Sequence, residues 1–333
     1  MLTVMQSAEN KRILLQPDEI AKGCWIDLQS PNDQELETVA EKTGMPLEML
    51  KVALDEEERA HIEKEDGCTM IIVDTTVIET DSYGGMQYGT MPLGILYNDS
   101  YFVTVSVKES SLVSDFFEGR VRNFQTYKRV RNMLLLLQRN ATKFLQHLKH
   151  IDKMNYRVQS ELQRSMKNKE IIQLMELEKS LVYFATGINA NEYVLEKVQL
   201  FEEIRNHEED VELLDDVIVE NKQAMEMCSI YSDILSGTMD AYASIVSNNL
   251  NIVMKKFTII TIILSLPTLI FSLWGINTPV PFEGKAWGFY VVLAIGIVFA
   301  VIGAIMILRM SESTKIKKTH KPKDKNDYKD SKK

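Results

Sequence analysis

The hydrophobic pattern of the first third of the chain favours short strands and helices in alternation. Runs rich in apolar and β-branched residues at 24–28 and 70–78 predict two strands. Residues 94–105 predict a hairpin whose turn is Asn98-Asp99-Ser100. A helix with capping residues at its start is predicted to end near Thr43. Together these elements predict an α+β domain over residues 1–122.

The pattern changes after about residue 123. Apolar residues now recur at spacings of three and four, and Gly and Pro are almost absent up to residue 256. Helices are therefore predicted at about 124–167, at 170–200, and from about 208 onward into the apolar region that follows. The last helix would exceed about 60 residues, or roughly 95 Å at about 1.5 Å per residue. Residues 123–256 are thus a predicted helical region that includes a long stalk helix.

Two uncharged apolar spans follow, at residues 257–273 and 288–308. Charged residues make up 26% of the whole chain, so their absence from both spans is a strong signal. At about 1.5 Å per residue the spans measure roughly 26 Å and 32 Å, close to the thickness of a bilayer's hydrocarbon core. The sequence predicts a transmembrane domain of two helices over 257–308, with a connecting loop at 274–287.

The charges that flank these spans predict the orientation of the chain. Basic residues precede the first span and follow the second, whereas the loop carries only Glu283 and Lys285. By the positive-inside rule both termini are cytoplasmic and the loop is external. The N-terminal residues have neither the apolar core of a signal peptide nor the character of a transit peptide. We therefore expect a multi-pass protein of the cytoplasmic membrane.

The net charge of −9 is unevenly distributed. Residues 309–333 contain ten basic and four acidic residues, a net +6, which leaves −15 on the other 308 residues. The basic tail favours contact with anionic membrane lipid, and a solvated flank is the alternative. The acidic remainder argues against nucleic acid as a partner and suits divalent cations. Eight acidic residues within 201–216 offer oxygen ligands for Mg²⁺ or Ca²⁺, or simply form a solvated turn.

Other candidate chemistry is weak. The cysteines, Cys24, Cys68 and Cys228, are predicted to be packed thiols because they are widely spaced and odd in number. His147 and His150 are three residues apart on a predicted helix, but no matching ligands accompany them, so a solvated face is expected. The sequence has no glycine-rich phosphate loop and no nucleophile arrangement. We expect neither an enzyme nor a nucleotide partner.

The first apolar span carries a polar stripe. Polar residues and one methionine recur at alternating steps of three and four, which places them along one side of a helix. The second span has no such stripe, and Gly296 and Gly303 are interpreted as close-packing sites. Because two helices cannot enclose an aqueous path, the stripe predicts a homo-oligomeric pore lined by the first helix. The alternative is that the hydroxyls bond only to their own helix. The stripe comprises Asn251, Met254, Thr258, Thr261, Ser265, Thr268 and Ser272.

The end of the first span is rich in turn and polar signals. Pro267 lies inside the span and removes one backbone hydrogen bond, so a local adjustment is expected. The sequence Trp274-Gly275-Ile276-Asn277 then ends the helix and presents an amide at the external mouth. A ring of amide oxygens can hydrogen-bond the waters of a hydrated cation without removing them. This suits Mg²⁺, which loses water reluctantly.

At this point the chain resembles the CorA family of magnesium transporters, whose signature is Gly-Met-Asn before a single final span. The resemblance places that signature, the selectivity filter, on Gly275, Ile276 and Asn277. It implies a homopentameric funnel for Mg²⁺ uptake, with a cytoplasmic-side constriction at Asn251, Met254 and Phe257. The resemblance also implies a regulatory Mg²⁺ site between subunits. Its candidate ligands are Asp216 on the stalk with Asp66 or Asp74 in the α+β domain.

Two departures from the family pattern leave the identity of the transported ion open. Ile276 replaces the usual methionine, and Thr278-Pro279-Val280-Pro281 stands where an aromatic residue and Met-Pro-Glu are usual. The zinc-transporting ZntB branch also varies the middle residue of the signature. Transport of Zn²⁺, Co²⁺ or Ni²⁺ is therefore one alternative to Mg²⁺ uptake. A membrane-anchored cation sensor or scaffold that conducts nothing is the other.

Overall fold

The computed structural model describes residues 1–8, 11–16, 19–80, 86–121, 124–165, 168–275, 281 and 284–313. The chain divides into two compact units, a first unit of residues 1–240 and a second unit that begins at residue 241. The strands are β1 (Leu2–Ala8), β2 (Lys11–Leu15), β3 (Trp25–Gln29), β4 (His61–Glu65), β5 (Cys68–Thr80), β6 (Met86–Tyr97) and β7 (Phe102–Ser106). The helices are α1 (Asp33–Thr43), α2 (Leu47–Val52), α3 (Ser111–Phe117), α4 (Arg129–Ser165), α5 (Asn168–Val198), α6 (Glu202–Arg205), α7 (Glu208–Trp274) and α8 (Ala286–Ser313).

The first unit is built on a seven-stranded sheet in the order β2-β1-β3-β7-β6-β5-β4. Strands β3 and β7 run parallel, and the other neighbours are antiparallel. The predicted strands are confirmed, and the predicted hairpin is the β6–β7 pair, closed where Tyr97 pairs with Phe102. Strands β1, β2 and β4 were not predicted. The sheet is therefore larger than the sequence pattern indicated.

Helix α1 illustrates how local sequence sets an element. The Asn32 side chain accepts a hydrogen bond from the Glu35 N–H, and the Glu35 carboxylate accepts one from the Asn32 N–H. This reciprocal pair is a capping box, which satisfies two backbone donors at the start of the helix. At the other end Gly44 adopts a left-handed φ of 71°, which stops the helix. The helix predicted to end near Thr43 is confirmed.

The three long predicted helices are also confirmed, as α4, α5 and α7. Helix α4 begins at Arg129 rather than near residue 124, because the preceding residues are held in another conformation. Ser7 and Thr126 exchange hydrogen bonds, each side-chain oxygen accepting from the backbone N–H of the other residue. The buried Phe124 ring packs edge-on against Trp25. These contacts anchor the segment before α4 to strands β1 and β3.

The core of the first unit lies on both faces of the sheet. One face packs against α1 and α2, and the other packs against α3, α4, α5 and the start of α7. Helix α7 contributes a buried stripe with heptad-like spacing that includes Leu214, Val217, Ala224 and Cys228. All three cysteines are buried and free, as predicted. Helix α7 then continues without interruption to Trp274, 67 residues in all.

The prediction that His147 and His150 lie on a solvated helix face is wrong for His147. His147 is half-buried, with its ring near those of Tyr88 and Phe184. Burial lowers the pKa of His147 to about 4, so the ring is neutral at physiological pH. The ring of His150 hydrogen-bonds to the Tyr88 hydroxyl. These histidines therefore help to pack α4 against β6 and α5.

Candidate functional site

The second unit contains two helical stretches that are long and apolar enough to cross a membrane. Their most apolar windows, at the end of α7 and within α8, are 0% and 11% buried. The core helix of a water-soluble protein would be mostly covered, whereas these stretches expose large side chains along their length. The exposed apolar surface is what a lipid environment would cover. Both spans correspond to those predicted from the sequence.

Helix α8 packs closely against α7 at two of its glycines, Gly296 and Gly303. A Cβ placed on Gly296 would lie 2.9 Å from the Phe271 ring, and one on Gly303 would lie 2.4 Å from a Leu266 methyl carbon. Both distances are shorter than a normal carbon–carbon contact, so only glycine fits without a shift. The predicted close-packing role of both glycines is confirmed. The partly covered face of α7 comprises Ile259, Ile263, Leu266, Ile270 and Trp274.

The polar stripe lies on the opposite side of α7. At about 100° per residue, its mean direction is roughly 150° away from the partly covered face. Within the single chain the eight side chains of the predicted pore lining are exposed. Among the described residues of this unit, α8 packs on the other side of α7, so the stripe faces the surroundings of the single chain. Those eight are Asn251, Met254, Phe257, Thr258, Thr261, Ser265, Thr268 and Ser272.

Four of the five hydroxyls donate to carbonyl oxygens of their own helix. The Thr258, Thr261 and Thr268 hydroxyls each donate to the carbonyl four residues earlier, at 2.9 Å. The Ser265 hydroxyl donates to the Ile262 carbonyl, also at 2.9 Å. The proton of each hydroxyl is thus committed to the helix, and the lone pairs of the oxygen remain as acceptors. The stripe presents electronegative acceptors, which suit the water molecules bound to a cation.

The ends of the stripe differ in chemistry. At its start Met254 and Phe257 are 56% and 63% exposed, and both are large and apolar. At its end the Gly275 N–H donates to the Phe271 carbonyl at 3.0 Å and closes the last turn of α7. The Trp274 indole N–H donates to the Pro281 carbonyl at 3.0 Å, which ties part of the loop back to the helix. Ile276 and Asn277, two of the three predicted filter residues, lie outside the described residues.

Pro267 does not break α7, which is continuous through this position. Proline lacks the N–H that would bond to the carbonyl of residue 263, so one carbonyl in the span loses its usual donor. Pro267 lies on the partly covered side of α7, near the face that packs on α8. The adjustment expected there is therefore away from the polar stripe.

The three candidate regulatory aspartates occupy different surroundings. Asp66 is an exposed turn residue with a left-handed φ of 48°, between β4 and β5. Asp74 is half-buried on β5, and burial raises the pKa of its carboxyl to about 6. Asp216 is exposed on α7. Within the described part of a single chain, no group of three or more His, Cys, Asp or Glu side chains is placed to hold a metal ion.

The acidic stretch at 201–216 is only partly solvated. Asp210 is buried, and its carboxylate accepts a hydrogen bond from Arg131 at 2.9 Å. Glu209 accepts from the same guanidinium nitrogen at 3.1 Å. Two of the eight carboxylates therefore balance a cation of the protein itself. The others are exposed at the start of α7 or on α6.

Sequence reasoning missed the packing partners that orient the stripe. Leu266 and Phe271 contact the glycines of α8, and they fix which side of α7 is covered. The stripe could have identified these partners, because the residues on the opposite side of α7 are the ones expected to face the second span. Gly296 and Gly303 were identified without their partners.

Comparison with known proteins identifies a family and relatives that resemble this chain. Residues 21–309 match the model of a family described as CorA-like Mg²⁺ transporter protein. The chain is 26% identical over 321 residues to the cobalt/magnesium transport protein CorA of Methanocaldococcus jannaschii, covering 91% of this chain and 96% of that protein. A 94-residue segment, 28% of this chain and 26% of the relative, is 39% identical to the cobalt/magnesium transport protein CorA of Thermotoga maritima.

Solved structures agree in fold. The complete structure of the CorA magnesium transporter from Methanocaldococcus jannaschii matches with a TM-score of 0.79 at 21% identity, covering 94% of this chain and 98% of that one. The cytoplasmic domain of ZntB from Vibrio parahaemolyticus matches with a TM-score of 0.56 at 11% identity, covering 75% of this chain and 97% of that one. At these identities the likeness concerns the fold.

Proposed function

The chain belongs to the family of CorA-like Mg²⁺ transporter proteins, and we propose that it conducts Mg²⁺ into the cell through a pore lined by the stripe on α7. The observation that carries this proposal is the position of the stripe, opposite the α8 contact and exposed in the single chain. Hydroxyl oxygens whose protons are committed to the helix accept hydrogen bonds from the waters of a hydrated cation. Mg²⁺ retains such waters more strongly than other common ions.

The two ends of the proposed pore have different roles, ion selection at one end and closure at the other. Asn277, with Gly275 and Ile276, is the proposed selectivity filter at the external mouth. Met254 and Phe257, with Asn251 beside them, form the proposed cytoplasmic-side constriction, where apolar side chains close a path by excluding water. A divalent ion gains about 4.6 kcal/mol per 100 mV, twice the single-charge value, so no chemical fuel is required.

The proposed orientation places both termini in the cytoplasm. Lys255 and Lys256 stand just before the first span, where the positive-inside rule expects them on the cytoplasmic side. The basic residues of 309–333 follow the second span on the same side and favour anionic lipid. The loop between α7 and α8 is then external. The cytoplasmic membrane is the proposed location.

Several copies of the chain are needed to enclose the pore, and we take five, as the family resemblance implies. Support comes from an exposed face of α7 in the first unit, where Val219, Ile230 and Ile234 recur at helical spacing. Large exposed apolar side chains in a row call for a partner. A second copy of α7 offers the same apolar row. The proposed stalk is therefore a bundle of α7 helices.

The same exposed face carries Asp216, which supports a regulatory cation site between copies. When cytoplasmic Mg²⁺ is high, the ion would bridge Asp216 of one copy to Asp66 or Asp74 of the next and favour the closed pore. Replacing Asp216 by Lys should then weaken inhibition by internal Mg²⁺, measured as flux against internal Mg²⁺ concentration. Unchanged inhibition would remove Asp216 from the proposal.

The decisive experiment is Mg²⁺ flux into liposomes that contain the purified full-length protein and a Mg²⁺-sensitive dye. Asn277→Ala should abolish selective influx, and Thr268→Val, which removes one stripe oxygen at constant shape, should reduce it. The matched control is Thr186→Val on α5, because Thr186 is also exposed and also donates to its own helix, at 2.9 Å. Equal losses in Thr268→Val and Thr186→Val would contradict a pore lined by the stripe.

Transition-metal transport is the second candidate, favoured by Ile276 in place of the usual methionine. The relative from Methanocaldococcus jannaschii is named a cobalt/magnesium transport protein, so Co²⁺ is the first ion to compare. In the same liposomes, entry of Zn²⁺, Co²⁺ or Ni²⁺ without Mg²⁺ entry would support this candidate. No entry of any ion would favour a non-conducting sensor or scaffold.

A further inference from the structure

Helix α7 lies beside α4 in one constant register over about its first half. Among the described residues, polar contacts join the two helices at three levels. The paired residues are 79, 78 and 79 positions apart in the sequence, so the helices run parallel and neither advances along the other. The contacts are Arg131 to Asp210 at 2.9 Å, Thr142 to Glu220 at 2.8 Å and Gln159 to Thr238 at 3.0 Å.

Helix α5 contacts the same part of α7 in the opposite direction. The Asn221 amide donates to the Ile188 carbonyl, and the Cys228 thiol donates to the Leu181 carbonyl, both at 3.3 Å. Between these two contacts each helix advances by seven residues, one forward and one backward along the chain. Helices that keep step every seven residues pack as a coiled coil does. Helices α5 and α7 therefore form an antiparallel pair.

The apolar contacts of α7 in this region define its position along α5 only weakly. Hydrophobic burial is non-directional, and two of the buried side chains, Ala224 and Cys228, are small and interlock little with a neighbouring helix. Axial shifts of about 1–2 Å between packed helices are common in proteins that switch. The buried apolar residues of α7 here are Leu214, Val217, Ala224, Cys228 and Leu235.

Asn221 is the polar member of this buried stripe and is only 3% exposed. Its amide uses both protons, one on the Ile188 carbonyl and the other on a Glu192 carboxylate oxygen at 2.7 Å. The second Glu192 oxygen lies 3.8 Å from the ammonium of Lys222. Hydrogen bonds are directional, so an axial shift of α7 would misalign both at a place that water does not reach. The α4 contacts are part-exposed, and water can replace them.

We propose that Asn221 is a positioning residue that fixes the level of α7 along α5. A single buried Asn in an apolar coiled-coil seam is a known device for setting register at a cost in stability. The consequence for transport rests on the proposed function. Met254 and Phe257 lie on the same continuous helix, and a ring of apolar side chains closes a path only when every copy holds them at one level.

The test is cysteine crosslinking within one chain of the full-length protein in detergent, in a Cys228→Ala background. The seven-residue step from the Lys222–Glu192 contact places Ser229 beside Ala185. Ser229→Cys is combined in turn with Ala185→Cys, Val182→Cys or Asn189→Cys, which sample α5 at that level and one turn to either side. Oxidised monomer is taken from a denaturing gel, so that only crosslinks within a chain are counted.

In wild type the crosslink should be confined to position 185. Asn221→Leu should raise crosslinking at 182 or 189 by about tenfold, the effect of losing one buried hydrogen bond to a charged group. Its unfolding midpoint should not fall, because an apolar residue joins an apolar stripe. A merely structural role predicts the reverse, a lower midpoint with an unchanged crosslinking pattern. Gln223→Leu is the matched control, because it removes an exposed amide from the same helix.

Flux into liposomes gives the functional readout. Internal Mg²⁺ should inhibit Asn221→Leu less than wild type, because the apolar ring no longer closes at one level. Crosslinking that stays confined to position 185 in Asn221→Leu, or that spreads equally in Gln223→Leu, would overturn the proposal. If wild type conducts no ion, the proposed function fails, whereas the crosslinks still decide whether Asn221 positions α7.

Discussion

Asn191 takes the place of a strand partner at one point of the sheet. Strand β4 ends where His61 pairs with Ile72, so the backbone groups of Asp74, which point to the same side of β5, have no strand beside them. The Asn191 amide instead donates to the Asp74 carbonyl and accepts from the Asp74 N–H, both at 2.8 Å. The Asn140 amide donates to the same carbonyl at 2.7 Å. Helices α4 and α5 are thereby joined to β5 just beyond the end of β4.

Replacement of Asn191 by Ala should therefore destabilise the first unit. The change leaves the half-buried Asp74 N–H without its partner, a loss of about 1–3 kcal/mol. The control is Asn189→Ala, because Asn189 is exposed and, among the described residues, its amide donates only to its own helix, at 2.8 Å. Thermal unfolding of the full-length protein in detergent should show a lower midpoint for Asn191→Ala alone. Similar midpoints for both variants would mean that the bridge contributes little.

The Asp74 carboxyl predicts a pH dependence of stability. Burial, with no hydrogen bond to the carboxylate among the described residues, raises its pKa to about 6, so the folded state holds a proton that the unfolded state releases nearer pH 4. The folded state thus binds more protons between about pH 4 and 6, and this contribution to stability is lost as the pH rises through that window.

Asp74→Asn should accordingly stabilise the protein at pH 7.5, by about 2 kcal/mol, and stabilise it clearly less near pH 4.5. The measurement is the difference in unfolding midpoint between the variant and wild type at both pH values, without Mg²⁺. A difference that does not change with pH would show that the folded carboxyl titrates normally.

At the scale of elements, the glycines of α8 should control the position of α7. Gly303→Leu cannot fit, because even a Cβ would lie 2.4 Å from Leu266, and the two helices must shift. Mg²⁺ flux should fall, and Leu266→Ala in the same chain should restore part of it by vacating the space. Val298→Ile adds bulk on an exposed face of the same helix and should leave flux unchanged. Without rescue by Leu266→Ala, the loss has another cause.

The elements that the sequence predicted correctly have strong local signals. Helices α4, α5 and α7 carry long stripes at spacings of three and four, and α1 has a capping box. Strands β1, β2 and β4 are short or partly exposed, and they form only because neighbouring strands lie beside them. The first residues of the predicted α4 were lost to a tertiary contact between Ser7 and Thr126. The spacing of apolar residues indicates only the local conformational preference of a segment. The three missed strands and the start of α4 depend instead on residues that are distant in the sequence.

At the scale of the whole molecule, the spans and the stripe could be read from the sequence because each lies within one continuous segment. The cavity of about 820 Å³ lined by Gly67, Tyr97 and Asp210 could not be predicted in this way, because its walls come from segments that are far apart in the chain. Likewise, nothing in the linear pattern pairs Asp74 with Asn191. A motif in one segment can be recognised from residue order alone, whereas a site assembled by folding cannot.

Assembly provides the last prediction. The exposed row of Val219, Ile230 and Ile234 on α7 is proposed to pack against other copies, so a charge within it would be buried without a partner. Ile230 is 54% exposed in the single chain, so its replacement by Asp should not destabilise a monomer, whereas it should destabilise an assembled stalk. Ile230→Asp is therefore expected to lower the oligomer mass measured by light scattering in detergent, and to reduce flux.

Val182→Asp is the control for that prediction, because Val182 on α5 is equally apolar and 58% exposed. If exposure alone made these positions sensitive, both variants would lose mass to the same degree. If α7 forms the contact between copies, only Ile230→Asp will dissociate. Since a pore needs several copies of the stripe, an Ile230→Asp protein that is monomeric yet still conducts Mg²⁺ would contradict both the assembly and the proposed path.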